Sequence, residues 1–201
     1  MFPLGSVLFP GMVLPLHVFE PRYRALVRDV LAGDREFGVT LIERGHEVGG
    51  GDVRTDVGTI ARVLETQELD DGRWVLVAVG RARLQVASWL PDDPYPRALV
   101  TELPEPASVD GAEDGLRAEV AGRLRTVLAL RAELGEAAVP LTTELDEDPV
   151  TGSYQAAILA GATPLDAQRL LTAPSPADRF RLLLEVLDHA EDRLRFELGA
   201  G

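Results

Sequence analysis

Four prolines interrupt the apolar opening of the chain, MFPLGSVLFPGMVLPLHVFEPRYRALVRDVLAG, at Pro3, Pro10, Pro15 and Pro21. A secretory leader needs a basic head ahead of its apolar centre, whereas the first basic residue here is Arg22, behind it. A membrane-spanning helix needs about 20 uninterrupted apolar residues, and each proline removes a helical donor and clashes with the preceding turn. The expectation is a soluble, cytoplasmic chain. Pro10-Gly11 reads as a turn and Met12 to Phe19 as a short strand, which Pro15 restricts to a sheet edge or a bulge. Glu20 then stands where a helix begins and Pro21 in its first turn, where a missing N–H costs nothing. Tyr23, Leu26, Val27, Val30 and Leu31 recur at helical spacing until Gly33 ends the helix.

The 201 residues suffice for one large domain or a domain with an appendage. The net charge of -13 arises from 33 acids against 20 bases, with the acidic excess heavier in the second half. Such a chain repels polyanions. There is no cysteine, so thiol nucleophiles, thiolate metal sites and disulfides are excluded. There is also no lysine: every basic residue is arginine, which removes a Walker A phosphate loop, a Schiff-base lysine and a serine-lysine dyad.

Past Gly38 the sequence alternates apolar runs and turns: strands are expected at 39–44, 58–69, 73–80, 81–89 and 97–103. Asp70-Asp71-Gly72 is a hairpin signal, and Gly80 is expected to divide the following pair. No connection repeats as a helical crossover, so an antiparallel barrel or sandwich around one helix is expected rather than a doubly wound sheet. Prolines and acids from Pro104 to about Asp114 mark a boundary, with a β domain over 1–104 and a helical subdomain over 113–201. Leu116, Val120, Leu124, Val127 and Leu128 predict a long first helix, and another runs through Tyr154 and Ile158. Thr163-Pro164 with Asp166 and Ser175-Pro176 with Asp178 are two further helix starts. In the last helix Phe180, Leu183, Leu184, Leu187, Leu194 and Phe196 are expected to form the buried stripe of a small helical bundle.

The opening FPLGSVLFPGMVLPLHVFEPRYRALV, with its Phe-Pro turn, Leu-Pro-Leu strand and Phe-Glu-Pro-Arg-Tyr helix start, resembles the N-terminal substrate-binding domain of Lon proteases. It looks closest to the free-standing bacterial proteins built from that domain alone. Gly80-Arg81-Ala82-Arg83-Leu84, Pro94-Tyr95-Pro96 and the late helix DRFRLLLEVLDHAEDRL continue the resemblance. It implies an α+β fold, a PUA-like β pseudobarrel followed by a helical bundle, in a non-catalytic module that binds exposed apolar segments of unfolded or client proteins. A protease or chaperone is the implied partner. No cofactor or metal is expected.

Glu20, Pro21, Arg22 and Tyr23 match the family motif and are read as fold-specifying. Arg22, Arg24, Arg28 and Arg35 form a local basic group that makes an RNA-binding PUA-like protein the alternative, against which stand the acidic total and the scarcity of interleaved aromatics. His17, His46 and His189 fall in three different elements, and no Ser sits in a Gly-x-Ser-x-Gly elbow. The Gly49-Gly50-Gly51 loop leads into a strand rather than a helix, which disfavours a phosphate cradle. For a peptide site the informative residues are large apolar groups beside loops: Phe9, Met12, Trp89 and Tyr95, each with burial in the core as its structural alternative. Trp89 and Tyr95 flank one turn, LPDDPYP, the preferred candidate.

Overall fold

The computed structural model describes residues 1–44, 53–105, 113–136 and 144–199, which form an α+β fold of six strands and five helices. Two compact units divide the chain, Met1–Pro104 and Glu105–Gly201.

The first unit holds β1 (Phe2–Leu4), β2 (Val13–Val18), α1 (Pro21–Ala32), β3 (Glu36–Arg44), β4 (Val53–Glu68), β5 (Trp74–Leu90) and β6 (Arg97–Leu103). They make one sheet in the order β1-β3-β4-β5-β2, with β6 also paired to β5. Among the described residues only the β1–β3 pairing is parallel. The sheet is open, with β1 and β2 at its two ends. Pro15 thus lies on an edge strand, as its missing donor requires. The β4–β5 hairpin turns at Gly72, whose φ of 76° suits glycine, and its N–H donates to the Leu69 carbonyl.

Gly80 does not divide two strands. β5 is a single strand of 17 residues that runs straight through it. Residues 74–79 pair with β2 and residues 83–90 with β6, while residues 74–85 pair with β4. Since 83–85 serve both β4 and β6, β6 must lie on the edge of β5 away from β4, in line with β2. The handover falls at Gly80: the Gly11 N–H donates to its carbonyl at 2.8 Å, and its own N–H donates to the Met12 carbonyl at 2.9 Å. A Cβ there would run into the carbonyl of Phe9. Glycine serves close backbone approach here, not a strand break.

The sheet folds over a core of Phe2, Leu8, Val18, Phe37 and Leu76, to which α1 contributes Tyr23, Leu26 and Val27. Each such side chain contributes about 1.5–3 kcal/mol through the apolar area it removes from water.

The second unit holds α2 (Asp114–Glu133), α3 (Pro149–Ala160), α4 (Pro164–Thr172) and α5 (Pro176–Gly199). The last three start alike, with a capping oxygen followed by proline at the first helical position. Asp148 accepts from the Thr151 N–H at 2.8 Å, Thr163 from Asp166 at 3.3 Å and Ser175 from Asp178 at 3.1 Å. α5 is contacted by α2, α3 and α4. Phe180, Leu183, Leu187 and Leu194 are buried along it, but Phe196 is exposed. At about 100° per residue Phe196 falls on the far side of the helix from those four, so the expected stripe was one residue too wide.

Arg179 of α5 is 0 % exposed, and each of its three guanidinium nitrogens donates a hydrogen bond. Its Nε donates to the Leu170 carbonyl at 3.1 Å, Nη1 to Ser153 Oγ at 2.7 Å, and Nη2 to the Tyr154 hydroxyl at 2.9 Å and to Glu105 Oε2 at 3.1 Å. The guanidinium also stacks 3.8 Å from the centre of the Tyr154 ring, and Tyr154 donates to the other Glu105 oxygen. A buried charge is tolerated when it is paired and its donors are satisfied, and this geometry suits the planar fork of arginine.

Two outcomes follow from these contacts. Gly80→Ala is expected to cost about 1–3 kcal/mol by forcing the backbone apart, whereas Gly122→Ala, which meets nothing within 4 Å in α2, should gain about 0.5–1 kcal/mol. Arg179→Ala should cost about 3–5 kcal/mol and Tyr154→Phe about 1 kcal/mol, since only the first leaves a carboxylate without its cation. Denaturant unfolding of the four variants measures both.

Candidate functional site

The two ends of the sheet meet across an apolar recess of about 100 Å³. Phe2 and Leu4 of β1 line one side and Leu16 and Val18 of β2 the other, with Tyr23 behind them. Terminal strands of an open sheet can share a lining only if the sheet curls until its edges face each other. Phe19, 53 % exposed, borders the same recess. The opening motif builds this seam. Glu20 precedes α1 without capping it and pairs instead with Arg22 at 3.1 Å, and Pro21 occupies the first helical position. The Arg22 guanidinium lies 4.5 Å from the Tyr23 ring centre, and that ring stacks on Phe2 at 4.3 Å. Glu20, Arg22 and Tyr23 therefore tie the start of α1 to β1.

The four aromatic and apolar candidates are not gathered at one place. Phe9 is 3 % exposed, so its ring is unavailable to a partner, and this corrects the expectation of display. The turn from Phe9 to Met12 is held to Gly80 by its backbone, which carries Phe9 inward. Met12 is half-buried against the core. Trp89 is half-buried, with its Nε1–H donating to Asp56 at 3.2 Å and the Arg54 guanidinium 4.9 Å from its ring centre. Arg54 in turn forms a two-point contact with Asp92, at 3.1 and 3.3 Å. Tyr95 packs partly on the core and donates its hydroxyl to Asp29 Oδ2 at 2.6 Å. The LPDDPYP turn is thus anchored at both ends, by Trp89 and Asp92 through Arg54 and by Tyr95 through α1.

The strand expected at 97–103 is present as β6, but its display of apolar side chains was not foreseen. In β6, Leu99 is 58 % and Val100 41 % exposed, and Leu90 on the paired end of β5 is also exposed. The missed signal was the Leu-Val neighbour pair in RALVTEL: adjacent strand residues point to opposite faces, so two apolar neighbours cannot both enter one core.

Chemistry-bearing groups are dispersed. His17 and His189 are exposed on β2 and α5, while His46 and the Gly49–Gly51 run lie outside the described residues. Among the described residues no three His, Asp or Glu side chains could hold a metal, and no helix is long and apolar enough to cross a membrane. The basic group around α1 is largely engaged. Arg22 pairs with Glu20, Arg28 with Glu68 at 4.0 Å, and Arg35 donates to the carbonyls of Val63 and Leu64.

Residues 1–189 match the family model of the ATP-dependent protease La (LON) substrate-binding domain. The chain belongs to the Lon substrate-binding domain family. It is 31 % identical over 197 residues to the Lon protease of Anaeromyxobacter dehalogenans and 30 % identical over 197 residues to Lon protease 2 of Myxococcus xanthus. In both cases 95 % of this chain aligns with 23 % of the relative, so it spans about a quarter of the length of the curated Lon proteases that it matches. Two solved structures share the fold over 92 % of this chain. They are a Lon N-terminal domain protein from Xanthomonas campestris (TM-score 0.65, 27 % identity, 95 % of that chain) and the N-terminal domain of Mycobacterium avium complex Lon protease (TM-score 0.66, 22 % identity, 96 % of that chain). Both units contribute to the family match, because it extends through most of α5. The match lies within the Lon substrate-binding domain and includes none of the ATPase or protease parts.

The Tyr95–Asp29 contact sets a titration. Hydrogen bonding to Asp29, then burial, then the Asp29 charge push the Tyr95 phenol up to about 12. A group whose pKa is raised on folding contributes stability that is fully present below its unfolded value of about 10 and is lost as pH rises through about 12. NMR of the Tyr95 Cζ should report this high value and, in Asp29→Ala, a return toward about 10. An unshifted titration in the parent chain would contradict the contact.

Proposed function

We propose that this chain is a non-catalytic protein-binding module that holds client polypeptides by exposed apolar segments. The observation that carries the reading is the substrate-binding family match over residues 1–189, set beside apolar side chains left exposed around the LPDDPYP turn and β6. In this reading the curled sheet is a PUA-like pseudobarrel with its seam open between β1 and β2. The four helices are the appended bundle, and the domains run over 1–104 and 113–201. The working compartment is the cytoplasm, and the next partner is a protease or chaperone that receives the client. Absence of lysine supports a role without ATP hydrolysis or peptide cleavage, since both mechanisms implied by the resemblance use that side chain.

Trp89 is the proposed aromatic anchor of the turn, with Met12 and Tyr95 framing the same unit from positions half-covered by the core. Anisotropy titration of labelled, reduced and alkylated serum albumin, which stays unfolded, should show saturable binding that native albumin does not share. Trp89→Ala should weaken it by about tenfold or more, or about 1–3 kcal/mol, when measured well below the melting temperature of the variant, which loses the ring's contacts with Asp56 and Arg54. Equal binding of native and unfolded albumin, or loss of binding only through unfolding of the variant, would remove this reading of Trp89.

A further inference from the structure

We propose that β6 receives an extended segment of another polypeptide as an added strand, through backbone hydrogen bonds along its free edge. This deepens the client-binding reading and rests on it.

Three strands, β1, β2 and β6, pair with a single neighbour among the described residues. β1 is only 3 residues long. β2 is longer but is blunted by Pro15. In an antiparallel ladder bonded and non-bonded pairs alternate, and Gly80 bonds to Met12, so Leu14, Leu16 and Val18 point their backbone groups at β5. Val13, Pro15 and His17 then turn theirs to the free edge, where proline supplies no donor. β6 carries no such device. Its 7 residues lie between Pro96 and Pro104 with no proline inside, and β5 is the one strand it pairs with among the described residues. It spans about 23 Å, with alternate N–H and C=O groups turned away from β5.

The side chains suit an apolar guest. Leu99 and Val100 are exposed on opposite faces, so an incoming strand meets apolar cover whichever way its own residues alternate. Charge is kept to the ends. Arg97 donates to the Pro91 carbonyl, and Glu102 is held by Arg81 at 2.9 Å. The occupant must therefore be extended, able to donate and accept at every second residue, free of proline and apolar in its middle. An unfolded chain offers such segments, whereas folded proteins shield their strand edges.

The test uses the intact chain and a labelled Val-Thr-Val-Thr-Val-Thr-Val peptide beside the same peptide N-methylated throughout, which keeps the side chains and removes the backbone donors. Parent peptide should bind, and the methylated one should bind at least about tenfold more weakly. On the protein side, adjacent residues aim their N–H groups at opposite edges. One of Leu99→Pro and Val100→Pro therefore removes a free-edge donor, and the other breaks a bond to β5. The variant that keeps its thermal midpoint should lose at least about tenfold in affinity for the peptide and for unfolded albumin. Equal binding of both peptides overturns the proposal even if neither proline variant folds. Full binding of unfolded albumin by the stable proline variant overturns strand addition and leaves the client-binding reading standing. No binding of peptide or albumin by the parent chain overturns both. A dimer in sedimentation that the peptide cannot dissociate and the proline variant lacks would assign the edge to a second copy of this chain, against the proposal.

Discussion

The close crossing of Phe9 over Gly80 is the contact on which the first unit depends. β5 must run unbroken because its first half pairs with β2 and its second half with β6, and one backbone edge cannot serve two partners at the same residue. The turn before β2 settles on that edge at Gly80, with one hydrogen bond in each direction. Any side chain there would push the Phe9 carbonyl away and take the start of β2 with it. From this crossing follow the burial of Phe9, the edge position of Pro15 and the space along β5 that β6 fills.

The second unit is organised by a different device. Three of its helices use the same inexpensive start, a capping oxygen and a proline, worth about 1 kcal/mol each. Arg179 joins α3, α4 and Glu105 around α5 by meeting a carbonyl, two hydroxyls and a carboxylate at once. No apolar residue could satisfy those groups, and each would be costly if left buried and unpaired.

Local signals were the legible ones. Pro21, Thr163-Pro164 and Ser175-Pro176 mark helix starts because capping depends on residues within one turn, and the hairpin at Gly72 depends on four. What escaped was set by contacts distant in sequence. Gly80 reads as punctuation until the Phe9 carbonyl is placed above it. Arg179 reads as one more surface arginine until Glu105, some seventy positions earlier, is folded beside it. Phe196 was assigned to the wrong side by residue type where the helical angle already excluded it. At the candidate site, Trp89 and Tyr95 were found because rings beside a proline turn stand out. The Leu99-Val100 pair in RALVTEL shows that one of the two must face away from the core, but that both are exposed depends on β6 having one paired neighbour among the described residues, which those seven residues do not encode.

Curling leaves the molecule with strand edges that differ in kind: one short, one blunted by proline, one open and apolar. In the proposed client-binding reading the chain needs a surface that takes many sequences, and backbone pairing provides this because every residue except proline offers the same groups. Hydrogen–deuterium exchange of the whole chain, with and without reduced and alkylated albumin, tests this most directly. The account predicts added protection at alternate amides within residues 97–103, with the amides of β2 unchanged. Protection that spares β6 and appears instead along β2 or in the helices would contradict it.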